Sequence, residues 1–263
     1  MFARRGRVRL YYEVLGSNTA PPLLMVRGLA RTARHWGSIV DALAAHFRVV
    51  VFDNRGIGRS SVPIPPYSTA AMADDAAAVL DATGIDSAHV FGVSLGGMIV
   101  QQLAVRHPAR VRTLVLGCTR AGRSAPRLPV NAVASLVGAM RLSPEHAVVQ
   151  TAPLILSRGF LAKHPEVPQR WAELARREPP TRAGVMGQLL AAARHDATAH
   201  LPKLKMPVLA ITGDVDRLIP PSCSEDLVER IPSAQLKVLP GAGHDFPTEQ
   251  PERTAALLAD FCR

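Results

Sequence analysis

The chain has 263 residues, 48% of them hydrophobic, and its 31 Lys and Arg against 21 Asp and Glu give a net charge of +10. That length suits one large α/β domain, or one domain with a substantial insertion, and buries enough surface to hold a core without disulfide staples. Lysine is scarce and the arginines are scattered. Only Arg4-Arg5-Gly6-Arg7-Val8-Arg9 is dense, and it lacks interleaved aromatics, so the charge reads as a compositional habit and no nucleic-acid partner is expected.

The N-terminal stretch starts basic but has no apolar core, so it is not read as a secretory signal. No run reaches the roughly 18–20 apolar residues of a transmembrane helix, so no membrane partner is expected. Cys118, Cys223 and Cys262 are widely spaced and match no metal-ligand pattern. Reduced thiols and a cytoplasmic location are the expectation.

Along the chain, residues 8–14 alternate and read as an edge or hairpin strand. Residues 23–26, 49–52, 90–93, 113–116 and 208–211 are continuous apolar runs, which suggests parallel strands covered on both faces. Residues 236–239 are a shorter run of the same kind. Helical spacing occupies 36–45, 72–82, 95–107, 224–230 and 252–261. Asp74 and Asp75 fall early in the second of these, where negative charge suits a helix N-terminus. Strand and helix alternate at both ends of the chain, the pattern of an α/β fold with right-handed crossovers. Residues 119–201 differ: they hold no convincing strand, prolines recur, and helical stretches lie at 130–140, 144–150, 167–176 and 183–194. This reads as a helical cap inserted into a core made of 1–118 and 202–263.

The strongest chemical signal is Gly92-Val93-Ser94-Leu95-Gly96-Gly97, a GxSxG match directly after one strand and directly before one helix. A serine at that bend sits on a sharp, strained turn that pushes its hydroxyl out above the sheet. A hydroxyl is a weak nucleophile and needs a base and an orienting acid. Asp214 and Asp216 both follow the strand at 208–211, at the strand end where sites form in such sheets, and Asp216 is preferred. His244 lies in a glycine-rich loop after the last strand and completes the order Ser…Asp…His. The other histidines sit in helical or strand contexts, His35 and His195 being read as surface residues and His89 as packed. Two main-chain donors should stabilise an oxyanion: the N–H of Leu95, and that of Leu29 after the strand at 23–26. Gly28 lets that second loop approach the substrate.

With these pieces in order, the sequence resembles the α/β-hydrolase superfamily over nearly its full length, most closely its serine esterases, enol-lactonases and cofactor-free haloperoxidase-like members. The resemblance rests on the Ser94 motif, on Gly213 with Asp216 and Pro220, on Gly243-His244, and on Asp53-Asn54-Arg55-Gly56-Ile57-Gly58-Arg59-Ser60, whose family role is structural. It implies an α/β-hydrolase fold with a mostly parallel central sheet, flanking helices and a helical cap, and no metal or organic cofactor. Ester or lactone hydrolysis through an acyl-enzyme follows, with Ser94, Asp216 and His244 as the triad. An aspartate nucleophile, as in dehalogenases and epoxide hydrolases of this fold, is absent. The Asp245-Phe246 pair lacks the tryptophan that usually follows the histidine of C–C bond hydrolases. A slow-turnover ligand receptor on the same scaffold is the rival reading.

One departure stands out: Arg27-Gly28 occupies the usual His-Gly position of the oxyanion loop. Arg27 either braces the loop or faces the pocket to attract an acidic substrate, and bracing is favoured. In the cap, Trp171, Met140, Met186, Leu154 and Phe160 suggest a hydrophobic pocket for a small to medium ester. The expected substrate contacts are Gly28, Arg27, Trp171 and Met140, with a small-molecule ester as partner and the protein a monomer or homodimer.

Overall fold

The computed structural model describes residues 1–263. Eight strands form one sheet: β1 (Phe2–Arg5), β2 (Val8–Leu15), β3 (Pro22–Val26), β4 (Arg48–Phe52), β5 (Ala88–Val93), β6 (Val111–Gly117), β7 (Val208–Gly213) and β8 (Ala234–Leu239). Their spatial order is β1-β2-β4-β3-β5-β6-β7-β8. The pairs β1–β2 and β2–β4 are antiparallel, and every other pair is parallel. From β3 the chain goes to β4 on one side and then crosses to β5 on the other. The chain therefore leaves β3 and β5 toward opposite sides of the sheet, which opens a crevice at the carboxyl ends of those strands.

The helices are α1 (Ile39–Ala44), α2 (Thr69–Ala82), α3 (Leu95–Arg106), α4 (Val130–Ala139), α5 (Pro144–Ile155), α6 (Arg158–Lys163), α7 (Glu166–Arg177), α8 (Arg182–Arg194), α9 (Pro221–Arg230), α10 (Phe246–Glu249) and α11 (Pro251–Phe261). The continuous apolar runs are buried on both sides, as a parallel sheet requires. Leu24, Val26, Val50, Val90 and Leu114 face one core with α2, α3 and α9, while Leu23, Met25, Val49, Phe91 and Val115 face the other with α1 and α11. Helices α4 to α8 all fall between β6 and β7.

The observed elements depart from the sequence reading in four places. The basic start forms β1, because its residues pair with β2 in an antiparallel register, Phe2 opposite Tyr11. The helix expected at 36–45 splits into a 3-10 turn, Ala33–Trp36, and α1, because Gly37 between them adopts φ +60°. Helices α6 and α10 are too short for periodicity to reveal. Asp74 and Asp75 lie beyond the first turn of α2 and act on arginines instead of the helix dipole. Asp75 accepts from Arg55 Nη2 at 2.6 Å, and Asp74 meets both Arg5 and Arg106.

The sheet and α3 pack so closely that glycine is required at position 96. A Cβ there would run into the carbonyl oxygen of Val26 at the end of β3. Neither backbone can yield, since both belong to the regular core. Gly96→Ala should therefore destabilise the chain by about 1–3 kcal/mol through overpacking, read as a fall in the urea midpoint at unchanged m-value.

Candidate active site

Ser94 stands between β5 and α3 as the N-cap of the helix, with φ +59° and ψ −122°, a region that costs a non-glycine residue strain. Its neighbours hold it there. The Ser94 N–H donates to Gly117 O on β6 at 2.9 Å, and the Ser94 carbonyl accepts from Thr119 Oγ1 at 2.8 Å and from Met98 N at 3.2 Å. The side chain is half-buried and faces a cavity of about 530 Å³.

Asp216 and His244 meet across the same strand ends. His244 Nδ1 lies 2.8 Å from Asp216 Oδ2, and both residues are buried. An ionised carboxylate only accepts, so Nδ1 carries the proton, which leaves the lone pair of the neutral imidazole on Nε2. The other oxygen of Asp216 accepts from the N–H groups of Leu218 at 2.8 Å and Ile219 at 2.9 Å, which fixes the carboxylate. Asp214 is exposed and instead accepts from Gly241 N at 2.7 Å, closing the turn before the histidine loop. His244 and Ser94 line one cavity. No hydrogen bond joins them in this structure, a contact that commonly tightens only around a substrate.

Two main-chain donors face the same space. Leu95 is the first residue of α3, so its N–H has no intrahelical acceptor. The N–H of Leu29 donates to no backbone carbonyl. Both residues line the cavity beside Gly28. A Cβ on Gly28 would stand 3.0 Å from that of Ser94, so glycine is what lets the two loops approach. Chemically, this is a hydroxyl at a strained bend, a buried imidazole on a carboxylate, and two free donors where negative charge would develop.

Arg27 has an unambiguous position. It is 2% exposed, and its two terminal nitrogens each lie 2.9 Å from an oxygen of Asp245, a bidentate ion pair. One nitrogen also donates to His35 O at 2.8 Å, and the guanidinium sits over the Trp36 ring at 4.6 Å. Arg27 borders the cavity, yet its charge is spent on Asp245 and it braces the loop. The position where the sequence departs from family habit, 27, is thus paired with the residue that follows His244. Burial alone would raise the Asp245 carboxyl, but Arg27 outweighs it and, with Arg31 and His244, holds it below the usual range.

Other sequence expectations move. Trp171 does not line the cavity, because α7 turns its buried face onto Leu156 and Val167. Met140, at the end of α4, also lies outside it, as do Met186, Leu154 and Phe160. The apolar wall comes instead from Met98, Leu136, Val137, Ile155 and Leu189. His35 and His195 are buried rather than on the surface, and burial takes His195 down to about 4. Asp53, Asn54 and Arg55 stand away from the cavity and tie loops together: Asp53 accepts from Ala33 N at 2.8 Å, and Asn54 donates to Arg27 O at 3.0 Å.

Two positioning residues were not foreseen. Gln188, fully buried on α8, accepts from Ala30 N at 2.9 Å and donates to Arg55 O at 2.9 Å. It holds Ala30, at φ +55°, next to the Leu29 donor. A lone amide among the apolar residues of α8 was the available signal. Glu249 accepts from Gly243 N at 3.0 Å and Ser157 N at 2.9 Å, joining the histidine loop to the segment before α6. Cys118 Sγ lies within 4.8 Å of ligand atoms of Asp216 and His244, a spacing that suits a metal ion. Burial pushes that thiol well up, and the carboxylate oxygens are already engaged, so the donor set fits a hydrogen-bonded cluster better than a metal.

The fold and this site define a hydrolase-type arrangement, and comparison with known proteins agrees. The family model described as alpha/beta hydrolase fold matches residues 21–251. A putative carbamate hydrolase, RutD, of Azorhizobium caulinodans is 32% identical over 99% of this chain and 97% of its own length. An esterase from Thermogutta terrifontis, solved with malate bound, superposes with a TM-score of 0.84 at 29% identity, covering 98% of this chain and 95% of its own. An enol-lactonase from Burkholderia xenovorans superposes with a TM-score of 0.89 at 25% identity, covering 99% of both chains. The chain belongs to the α/β-hydrolase family, and it is a hydrolase. No helix is long and apolar enough to cross a membrane.

The Arg27–Asp245 pair yields two expectations. Arg27→Met leaves a buried carboxylate without its partner and should cost about 3–5 kcal/mol, whereas Arg27→Met combined with Asp245→Leu should recover much of that, measured by urea unfolding. Because the folded carboxyl sits below its unfolded value, the pair's stabilisation is complete above the unfolded pKa of about 3.9 and disappears as pH falls through the folded value. Unfolding free energies from pH 7 to pH 2 should fall further in the wild type than in the double variant, where Asp74 and Asp196 still contribute.

Proposed function

We propose that this chain is a serine hydrolase that cleaves a carboxylic ester or lactone through an acyl-enzyme. The observation that carries this reading is the convergence of Ser94, the His244–Asp216 pair and the Leu29 and Leu95 donors on one largely apolar cavity. Ser94 Oγ attacks the acyl carbonyl while His244 Nε2 takes its proton. Asp216 keeps the imidazole in the right tautomer and stabilises the imidazolium. The Leu29 and Leu95 N–H groups bind the oxyanion, each donor of this kind supplying about 2.7–4 kcal/mol. His244 returns the proton to the leaving alcohol. Water then attacks the acyl-enzyme by the same acid–base route and frees Ser94.

The segment 119–201 acts as a cap that shapes specificity, with α4 and α8 supplying cavity wall over the Ser94 side. Apolar walls favour a small to medium apolar acyl or alcohol group. The names of the RutD relatives bring carbamates into consideration, since a carbamate carbonyl presents the same electrophile to Ser94. An assay panel of p-nitrophenyl esters, lactones and carbamates separates these substrates. Ser94→Ala should lower kcat on the best of them by about 10⁴-fold or more at unchanged melting temperature. Retained wild-type turnover in that variant would refute the mechanism, and an acyl-enzyme that forms once and stalls would favour a ligand receptor.

A further inference from the structure

Four arginines, Arg27, Arg31, Arg120 and Arg127, line the cavity against a single carboxylate, Asp245. Arg27 consumes that carboxylate, as both Asp245 oxygens are held at 2.9 Å by its nitrogens. Arg120 donates to Gly122 O at 2.8 Å and to Ala125 O at 3.3 Å, and so secures its own loop. Arg127 is exposed at the rim. Arg31 is different: it is half-buried, has no ion-pair partner, and sits over the Trp171 ring with its guanidinium carbon 4.0 Å from the ring centroid. Stacking on an indole face fixes a guanidinium while leaving the N–H groups at its edge available to an acceptor.

The site around it is built. Trp171 is itself held by Leu156 and Val167. The Arg31 N–H closes a turn onto Gly28 O at 3.3 Å, so Arg31 stands two residues beyond the Leu29 donor on the same short loop. Burial draws the guanidinium down to about 10, which keeps it charged at neutral pH. The one carboxylate lining the cavity, Asp245, attracts Arg31 but is hydrogen-bonded on both oxygens to Arg27, so this fixed cation keeps no hydrogen-bonded counter-ion of its own, a costly state in a mostly apolar cavity unless an anion arrives.

We infer that Arg31 is the anion-recognising residue of this cavity, and that the substrate is an ester or lactone carrying a second, ionised carboxylate a few carbons from the scissile carbonyl. The chemistry at that carbonyl rests on the serine-hydrolase reading above; the anion site does not. Trp171 then contributes to recognition through Arg31, without bordering the cavity.

The test compares monoethyl esters of the C4 to C8 dicarboxylic acids with ethyl esters of the matching monocarboxylic acids. The quantity read is the ratio of kcat/KM for the charged ester to that for the neutral one. At the best chain length the wild type should favour the charged ester at least tenfold. Arg31→Met should cut that ratio tenfold or more, chiefly through KM, and Arg31→Lys should restore part of it. Arg31→Gln serves in place of Arg31→Met if the latter does not fold. A wild-type ratio at or below one at every length would overturn the inference. So would a ratio unmoved by Arg31 substitution, or one that follows Arg120→Met instead. Calorimetric titration of glutarate and suberate into wild type and Arg31→Met reads the same site without turnover. Loss of binding in Arg31→Met supports the inference even if no ester is cleaved, and equal or no binding to both proteins refutes it. Loss of hydrolysis alone, with glutarate binding intact, counts against the serine mechanism and not against Arg31.

Discussion

The Arg27–Asp245 ion pair is the contact on which the rest of the site depends. It joins two loops 218 residues apart in sequence, one carrying the Leu29 donor and the other carrying His244. Neither loop has regular structure to hold it, so their relative position comes from side-chain contacts. A bidentate guanidinium–carboxylate pair suits that task, because its planar geometry fixes orientation as well as distance. The pair lies buried against Trp36, where solvent screening is weak and a lost partner is expensive.

Sheet topology sets what the pair must connect. The crossover from β4 to β5 places the β3 and β5 loops side by side, and the closeness of Gly28 to Ser94 and of Gly96 to Val26 draws them together. Strain at Ser94 is held by hydrogen bonds to Gly117 and Thr119 in and after β6. Parallel strands thus supply the rigid rows, and the functional groups stand on the turns at their ends. The cost of this arrangement is a set of loops that need braces: Asn54 onto Arg27, Glu249 onto Gly243, and Asp216 on the amides of Leu218 and Ile219.

What the sequence made legible follows from the range of each signal. Strands covered on both faces leave continuous apolar runs, so the central sheet could be read locally, as could the serine turn with its strand before and helix after. Position along the strand end is all that favours Asp216 over Asp214 in the sequence; in the fold Asp216 stands against His244 and Asp214 turns outward. Short elements such as α6 and α10 carry too few residues for a period. Residues 119–201 show their helices in the sequence but not their facing: Trp171 and Met140 have the composition of a pocket, and only packing decides which apolar residues border a cavity and which fill the space behind it. Arg27 stands out in the sequence, but nothing local says that its partner is Asp245, 218 residues away. Gln188 was hidden for the same reason.

Gln188 ties the geometry of the loop after β3 to the position of α8. Its amide spans from Ala30, beside a candidate oxyanion donor, to Arg55, and its backbone belongs to α8, which also contributes Leu189 to the cavity wall. Moving α8 to widen the entrance would pull the acceptor away from Ala30 and free a residue held at positive φ. Helix α8 and the loop after β3 are interlocked, so the proposed Leu29 donor keeps its place only while α8 keeps its own. An amide makes that interlock indifferent to protonation, whereas the carboxylate brace at Asp245 answers to pH.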